Sequence, residues 1–135
     1  MVKNISSIIY NKYHFFLLYL IMSQYKHLPI YKTAYDLLVC ITLKTKDYRN
    51  DFKYTLGTKM REDSMKLVQL IYKANSSKNK EDYINNIIDT VQIIELSSRL
   101  SKDLHLINIK AFSEIIVLTE SISKQANGWL RRSKK

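Results

Sequence analysis

A chain of 135 residues with only 2 Gly and 1 Pro is long enough for one domain with a hydrophobic core and too poor in turn residues for an all-β fold. Its formal net charge of +10 is typical of proteins that bind a polyanion, most often nucleic acid, and sometimes an anionic membrane or an acidic protein. The sequence lacks G-x-G-x-x-G and G-K-[ST] motifs and any alternation of strands and helices, which argues against nucleotide-binding α/β folds.

The positive charge is unevenly distributed along the chain. Residues 1–79 carry 13 Lys and Arg against 5 Asp and Glu, whereas residues 80–130 carry 5 against 7. Residues 131–135 add four more cations. A surface that served only for solvation would mix the two signs more evenly, so the pattern predicts a basic binding surface in the first half and a basic tail.

The N-terminal extension, residues 1–27, contains an apolar run over 15–22 and admits three interpretations. A secretory signal agrees with Lys3 before the run, but no A-x-A-like cleavage site follows. A genuine N-terminal helix or membrane anchor is the second interpretation, although the run is shorter than the roughly 18 to 20 apolar residues of a membrane span. In the third interpretation, translation starts at Met22, and residues 1–21 come from a reading frame that was begun too far upstream.

The next two predicted elements are helices. Pro29 in a first turn predicts a helix over about 29–46. A second helix is predicted over about 50–75, because its apolar residues recur at spacings of three, four and seven. Gly57 lies inside it, either for a close approach of helices or as a tolerated flaw near a frayed first turn.

The apolar stripe of the second helix has one polar gap, at Asp63 or Ser64. Burying a carboxylate without a partner is costly. We therefore expect Asp63 to pair with a cation or hydroxyl from another helix or subunit.

The third helix is predicted over about 80–103 with Asn79 as its N-cap, and the fourth over about 109–130 with Asn108 as its N-cap. The third helix carries two apolar stripes, more than one neighbour can bury, so it either lies centrally or forms a subunit interface. Short connections predict an all-α, up-down-up-down antiparallel four-helix bundle over 28–130. The second apolar stripe of the third helix consists of Ile93, Leu96, Leu100 and Leu104.

Little in the chain predicts catalysis. None of His14, His27 and His105 has a partner at metal-ligand spacing, and the E-x-x-H pattern of di-iron bundles is absent. Cys40 is the only cysteine, which excludes an internal disulfide, agrees with a reducing compartment and predicts a small buried apolar residue. We therefore expect a cytoplasmic protein that is not an enzyme and has no metal, cofactor or small-molecule substrate.

The cations of the first connector, the second helix and the C-terminus are the candidate nucleic-acid-binding residues. Lys and Arg contacts to phosphates give affinity without sequence preference. Aromatic residues such as Tyr48 and Tyr54 lie among them, and an exposed Tyr can stack on an unpaired base. The candidates are Lys44, Lys46, Arg49, Lys53, Lys59, Arg61, Lys66, Lys73, Arg131 and Arg132.

An ordered set of short segments resembles one known family. The set is LPIYK at 28–32, YDLL at 35–38, YTLG at 54–57, IYKAN at 71–75, LSKDL at 100–104 and GWL at 128–130. It is similar to the accessory variability determinant proteins of diversity-generating retroelements, which belong to a wider four-helix bundle family with ribosomal RNA intervening-sequence proteins. The resemblance covers about residues 28–132.

This resemblance implies a barrel-like homopentamer of four-helix bundles with a positively charged surface. It implies that the protein binds the retroelement's reverse transcriptase and its template RNA or DNA, and that catalysis of mutagenic copying resides in the transcriptase. It favours Lys53, Lys59, Arg61 and Lys66 as contact residues and a packing role for Gly57.

Two departures from the family pattern stand out. The family usually starts near the LPIYK segment, which favours Met22 as the start. Many members have Gly at the position of His105, where a positive backbone angle would suit His less well.

Two alternative functions are an RNA-linked role of the intervening-sequence type and a membrane-anchored helical interaction protein that uses residues 1–22. A reverse transcriptase and a near-repeat pair beside the gene would favour the retroelement role.

Overall fold

In the computed structural model, residues 28–134 are described, and the interpretations of residues 1–27 lie outside this range. Within it, the chain forms four long helices. The second begins with a short turn at Asn50–Phe52, passes through a π-helical turn at Lys53–Gly57 and continues as an α-helix over Thr58–Ser76; these three contiguous pieces are called α2. The other helices are α1 (Pro29–Thr45), α3 (Glu81–Asp103) and α4 (Ile109–Ser133).

The observed bounds agree closely with the predicted helices, and the all-helical fold is confirmed. Amphipathic periodicity is the reason, since each helix buries one stripe and exposes the rest. The largest difference is at the C-terminus, where α4 continues through Ser133. None of the described helices is both long and apolar enough to cross a membrane.

The helices pack as a closed set of neighbours. α1 packs against α2 and α4, and α3 packs against the same two helices. Side-chain contacts join opposite ends of α1 and α4: Gln125 Nε2 donates to Thr33 Oγ1 at 3.2 Å, and Lys44 pairs with Glu114. The third helix is therefore not central, and each helix presents one outer face to solvent.

The core is filled by large aliphatic side chains over most of its length and by small hydroxyl residues near the end of α3. Met60 lies opposite these small residues, and its Sδ is 3.6 Å from the Tyr48 hydroxyl and 3.4 Å from Ser101 Oγ. The bulk of Tyr48 and Met60 compensates for the missing volume of the serines. The fully buried large side chains include Leu37, Ile41, Met60, Leu67, Ile71, Ile84, Ile87, Ile94, Ile115 and Ile122.

One predicted helix cap is wrong and one is confirmed. The Asn108 side chain accepts a hydrogen bond from the Ala111 N–H at 2.8 Å and caps α4. The N-cap position of α3 is Lys80 instead of Asn79, with no side-chain cap. Lys80 Nζ instead donates to the carbonyls of Ala74, Asn75 and Ser77 at 2.8–3.0 Å, where its charge also complements the dipole of α2.

His105 ends α3 in a left-handed conformation, with φ of 59°. The His105 N–H donates to the Lys102 carbonyl and the Leu106 N–H to the Ser101 carbonyl, which is the hydrogen-bond pattern of a Schellman motif. Glycine is favoured at this position because it lacks the Cβ that crowds the backbone. The expected positive angle at His105 is therefore confirmed.

Replacing His105 with Gly is expected to stabilise the fold by about 0.5–1 kcal/mol. Relief of left-handed strain, roughly 1–2 kcal/mol, exceeds the extra unfolded-state entropy of Gly. Urea unfolding followed by circular dichroism measures the difference, with His105→Ala as the matched control because Ala keeps the Cβ. A Gly variant no more stable than the Ala variant would contradict the assignment.

Candidate nucleic-acid interface

Three lysines form a row along the outer side of α2. Lys59, Lys66 and Lys73 are exposed and follow one another at seven-residue spacing, which is close to two helical turns. Successive members are therefore about 10 Å apart along the helix axis. A row of this kind can contact several phosphates of one strand.

Lys59 differs from the other two because it has a carboxylate partner. Its Nζ lies 3.0 Å from Asp63 Oδ2, and the Asp63 side chain is 13% exposed. The prediction that another helix supplies the partner of Asp63 is therefore wrong within this chain, since an i, i+4 neighbour on the same helix does so. Ser64 fills the polar gap in the stripe instead: it is buried and donates to the Met60 carbonyl at 2.7 Å.

The connector before α2 and the first turns of α2 carry cations beside aromatic rings. The Arg49 guanidinium lies 5.3 Å from the centre of the Phe52 ring, and Lys53 Nζ lies 5.9 Å from the centre of the Tyr54 ring. Lys46 is exposed in the same connector. Tyr54 is 70% exposed, so its ring is accessible to a base.

Arg61 is placed differently from the other predicted cations. Its guanidinium donates to Thr45 Oγ1 at 2.9 Å, to Thr58 Oγ1 at 3.0 Å and to the Lys53 carbonyl at 3.3 Å. These bonds fasten the π-helical turn to the end of α1. The structure thus gives Arg61 a structural role in joining two helices.

Gly57 makes room for this guanidinium. A Cβ at Gly57 would lie 3.3 Å from Arg61 Nη1 and 3.4 Å from the Phe52 carbonyl oxygen. The Tyr48 ring is also within 3.5 Å of that position. Gly57 is therefore closely surrounded by the Arg61 guanidinium, the Tyr48 ring and the backbone of its own helix.

Lys44 is also held by a partner within the chain. Its ammonium pairs with Glu114 of α4, and its side chain is only 21% exposed. The hydrogen bond to Lys44 lowers the pKa of the Glu114 carboxyl, and the same bond raises the pKa of Lys44. Lys44 joins α1 to α4, and most of its charge is compensated.

Arg131 and Arg132 lie in the last turn of α4 and are exposed. Cations at this end of a helix interact favourably with its dipole. Next to them, Lys134 lies 3.7 Å from Glu81 at the start of α3. The basic tail therefore begins as part of the helix.

A sequence profile of the bAvd-like family matches residues 20–133, almost the whole chain. The chain belongs to the bAvd-like family. This family comprises accessory variability determinant proteins of diversity-generating retroelements, so the resemblance drawn from the short segments is confirmed. No curated protein and no solved structure matches the chain.

The surface of this bAvd-like protein also includes cations that the sequence reasoning missed. Lys124 is exposed on α4 and lines a groove with Asn75, Trp129 and Arg132 at the end of the bundle where α1 begins. Its seven-residue spacing from Arg131 is a signal that could have revealed it. Lys124, Arg131 and Arg132 thus form a second group of cations on the last turns of α4, separate from the α2 row because α2 and α4 are diagonal in the bundle.

The cations of the bAvd-like protein separate into two groups by their partners. Lys44 and Arg61 are bound to other parts of the bundle, Lys59 is paired on its own helix, and Arg49 Nε lies 3.9 Å from Asp51 Oδ1. Among the other candidate cations of residues 28–134, together with Lys124, a second group forms no ion pair with the described residues. We call this group the open cations: Lys46, Lys53, Lys66, Lys73, Lys124, Arg131 and Arg132.

Proposed function

We propose that this bAvd-like protein is a non-catalytic, cytoplasmic, nucleic-acid-binding accessory subunit of a diversity-generating retroelement. In this role it binds the reverse transcriptase and the template RNA or DNA and supports mutagenic reverse transcription. Membership of the family over residues 20–133 is the observation that carries the proposal. The open cations support the nucleic-acid part of it.

Phosphate contacts explain how the surface would act. Ammonium groups about 10 Å apart on a rigid helix neutralise phosphates and release condensed counterions. Such contacts position a strand without reading its sequence. Binding of this protein is therefore proposed to be salt-sensitive and weakly specific, with Tyr54 available to stack on an unpaired base.

The proposed phosphate contacts are limited to cations that have no strong partner within the bundle. Lys66 and Lys73 lie in the exposed α2 row, and Arg131 and Arg132 belong to a second group of exposed cations on α4. At the other end of α2, Lys46 and Arg49 lie in the connector and Lys53 in the first turns of the helix. Lys44 and Arg61 are proposed to act in the bundle instead, because Lys44 is paired with Glu114 and the donors of the Arg61 guanidinium are bonded within the bundle.

The proposed assembly is a homopentamer of up-down-up-down antiparallel bundles. The contacts of Thr33 with Gln125 and of Lys44 with Glu114 support opposite directions for α1 and α4. The short connections between successive helices support the same alternation for the rest. A ring of bundles would repeat the cationic surface around one assembly and raise its avidity for a long strand.

Co-expression with the reverse transcriptase of the same retroelement tests the proposal. We expect the two proteins to co-purify and the complex to retain its template RNA at low salt, with loss of RNA as salt rises from about 50 to 200 mM. The complex is measured by light scattering, before and after nuclease treatment. A chain that neither co-purifies nor binds RNA would overturn the proposal.

A further inference from the structure

Two rows of large apolar side chains remain exposed on the outside of the bundle. The first is on α1, where Tyr35, Val39 and Leu43 are 41–56% exposed. The second is on α3, where Ile93, Leu96 and Leu100 are 41–68% exposed. Members of each row are three or four residues apart, so each row is continuous along its helix. They are called the α1 row and the α3 row.

The α3 row continues into a groove with α4. Leu96 lines this groove together with Phe112 and Ile116, and its polar edge is formed by Glu95 and Arg99. A contiguous apolar surface with a polar rim is typical of a protein-binding site. The α3 row is therefore the centre of a wider surface than three side chains alone provide.

The two rows point away from each other. α1 and α3 are diagonal in the bundle, since each packs against α2 and α4. Rows on the outer faces of diagonal helices lie on opposite sides of the molecule. One copy can therefore use both rows at once, each with a different neighbour.

The charges around the rows are complementary. Residues 29–49, which carry the α1 row, hold 4 Lys and Arg against 2 Asp and Glu, and two of these cations, Lys32 and Lys44, are paired with Asp36 and Glu114. Residues 81–103, which carry the α3 row, hold 2 against 5. Pairing two α3 rows would bring two acidic helices together, whereas pairing an α3 row with an α1 row brings opposite charges together.

We propose that the α3 row of one copy packs on the α1 row of the next copy. This interface is head-to-tail, because two different surfaces meet, and such contacts give closed rings when the rotation between copies closes. The inference rests on the self-association in the proposed function and names its two surfaces. The open cations of α2 lie outside both rows and would remain accessible in the ring.

Two single substitutions test the interface by removing one row each. Leu96→Glu places a carboxylate in the middle of the α3 row, and Leu43→Glu places one in the α1 row. Both residues are more than half exposed, so neither substitution changes the core. Gln69→Glu, at an exposed α2 position outside both rows, is the matched control. Circular dichroism checks folding, and Leu100→Glu or Tyr35→Glu replaces any variant that does not fold. Masses are measured by light scattering on the full chain, with RNA binding followed separately.

We expect an assembly larger than a dimer for the original chain and for Gln69→Glu, and monomers for each row variant. Mixed at equal concentration, the two row variants should form a dimer, because each retains the row that the other lacks. A mixture that stays monomeric, a row variant that keeps the original mass, or an original chain that is itself monomeric would overturn the interface. If the original chain is a monomer by itself and Leu96→Glu abolishes its binding to the transcriptase, the α3 row is a binding surface for the transcriptase instead. RNA binding that fails while the masses behave as expected would refute only the nucleic-acid part of the proposed function.

Discussion

Replacing Lys66 and Lys73 together with Gln is expected to weaken RNA and DNA binding by roughly 10- to 50-fold at about 0.1 M salt. Both lysines are exposed and form no ion pair with the described residues, so each is available to a phosphate. Loss of two contacts should also reduce the slope of log affinity against log salt by about 1.4 for single strands and about 1.8 for duplexes. Fluorescence anisotropy at several salt concentrations measures both quantities.

A matched control separates the α2 row from net charge. The double variant Lys32→Gln and Lys110→Gln removes the same two charges from exposed positions on α1 and α4. It is expected to change affinity by less than about threefold, because long-range charge is screened beyond about 10 Å at this salt concentration. Equal effects of the two double variants would show that binding depends on total charge and not on the row.

Replacing Arg61 with Met is expected to lower the free energy of unfolding by about 2–3 kcal/mol while leaving the salt slope of RNA binding unchanged. The guanidinium donates one hydrogen bond to Thr45 of α1 and two within α2, and bonds to charged groups contribute roughly 1.5–3 kcal/mol. Met retains the aliphatic stem and removes the donors together with the positive charge. Urea unfolding measures stability, and anisotropy measures the slope.

Lys66→Met is the control for this second experiment. It lies on the same helix, is exposed and should change stability by no more than about 0.5 kcal/mol. The slope of log affinity against log salt should fall by about 0.7 for single strands. The control thus loses slope and keeps stability, whereas the Arg61 variant loses stability and keeps slope. An Arg61 variant that keeps its stability and loses slope would return Arg61 to the phosphate-binding surface.

The periodicity of apolar residues was enough to predict the helices but not the turn that opens α2. Four-residue steps from Phe52 to Met60 fit a regular helix equally well, so the π-helical turn leaves no distinct pattern in this segment. It depends on Tyr48, Gly57 and Arg61 meeting in space, and Thr45 joins them from 16 residues before Arg61. Contacts of this range cannot be inferred from spacing along one helix.

The sequence predicts which cations belong to the candidate site. It does not predict which of these cations are paired with a carboxylate. A sequence pattern places Lys44 and Lys46 in the same basic connector, yet only Lys44 faces Glu114, 70 residues later. The distinction depends on which faces of α1 and α4 meet. The excess of apolar residues on α3 was visible in the sequence, and only the packing shows that Ile93, Leu96 and Leu100 are the exposed ones.

The capping of α2 by Lys80 has a consequence for protein engineering. Loops between helices are usually the positions at which tags, labels and inserted domains are tolerated. In the 77–80 loop, however, the ammonium group of Lys80 reaches back to two carbonyls in the last turn of the preceding helix and to the carbonyl of Ser77 just after it. An insertion there would separate this ammonium group from its acceptors, so the connector around Lys46 and Asp47, both exposed, is the better place for a reporter when RNA binding is not the property under study.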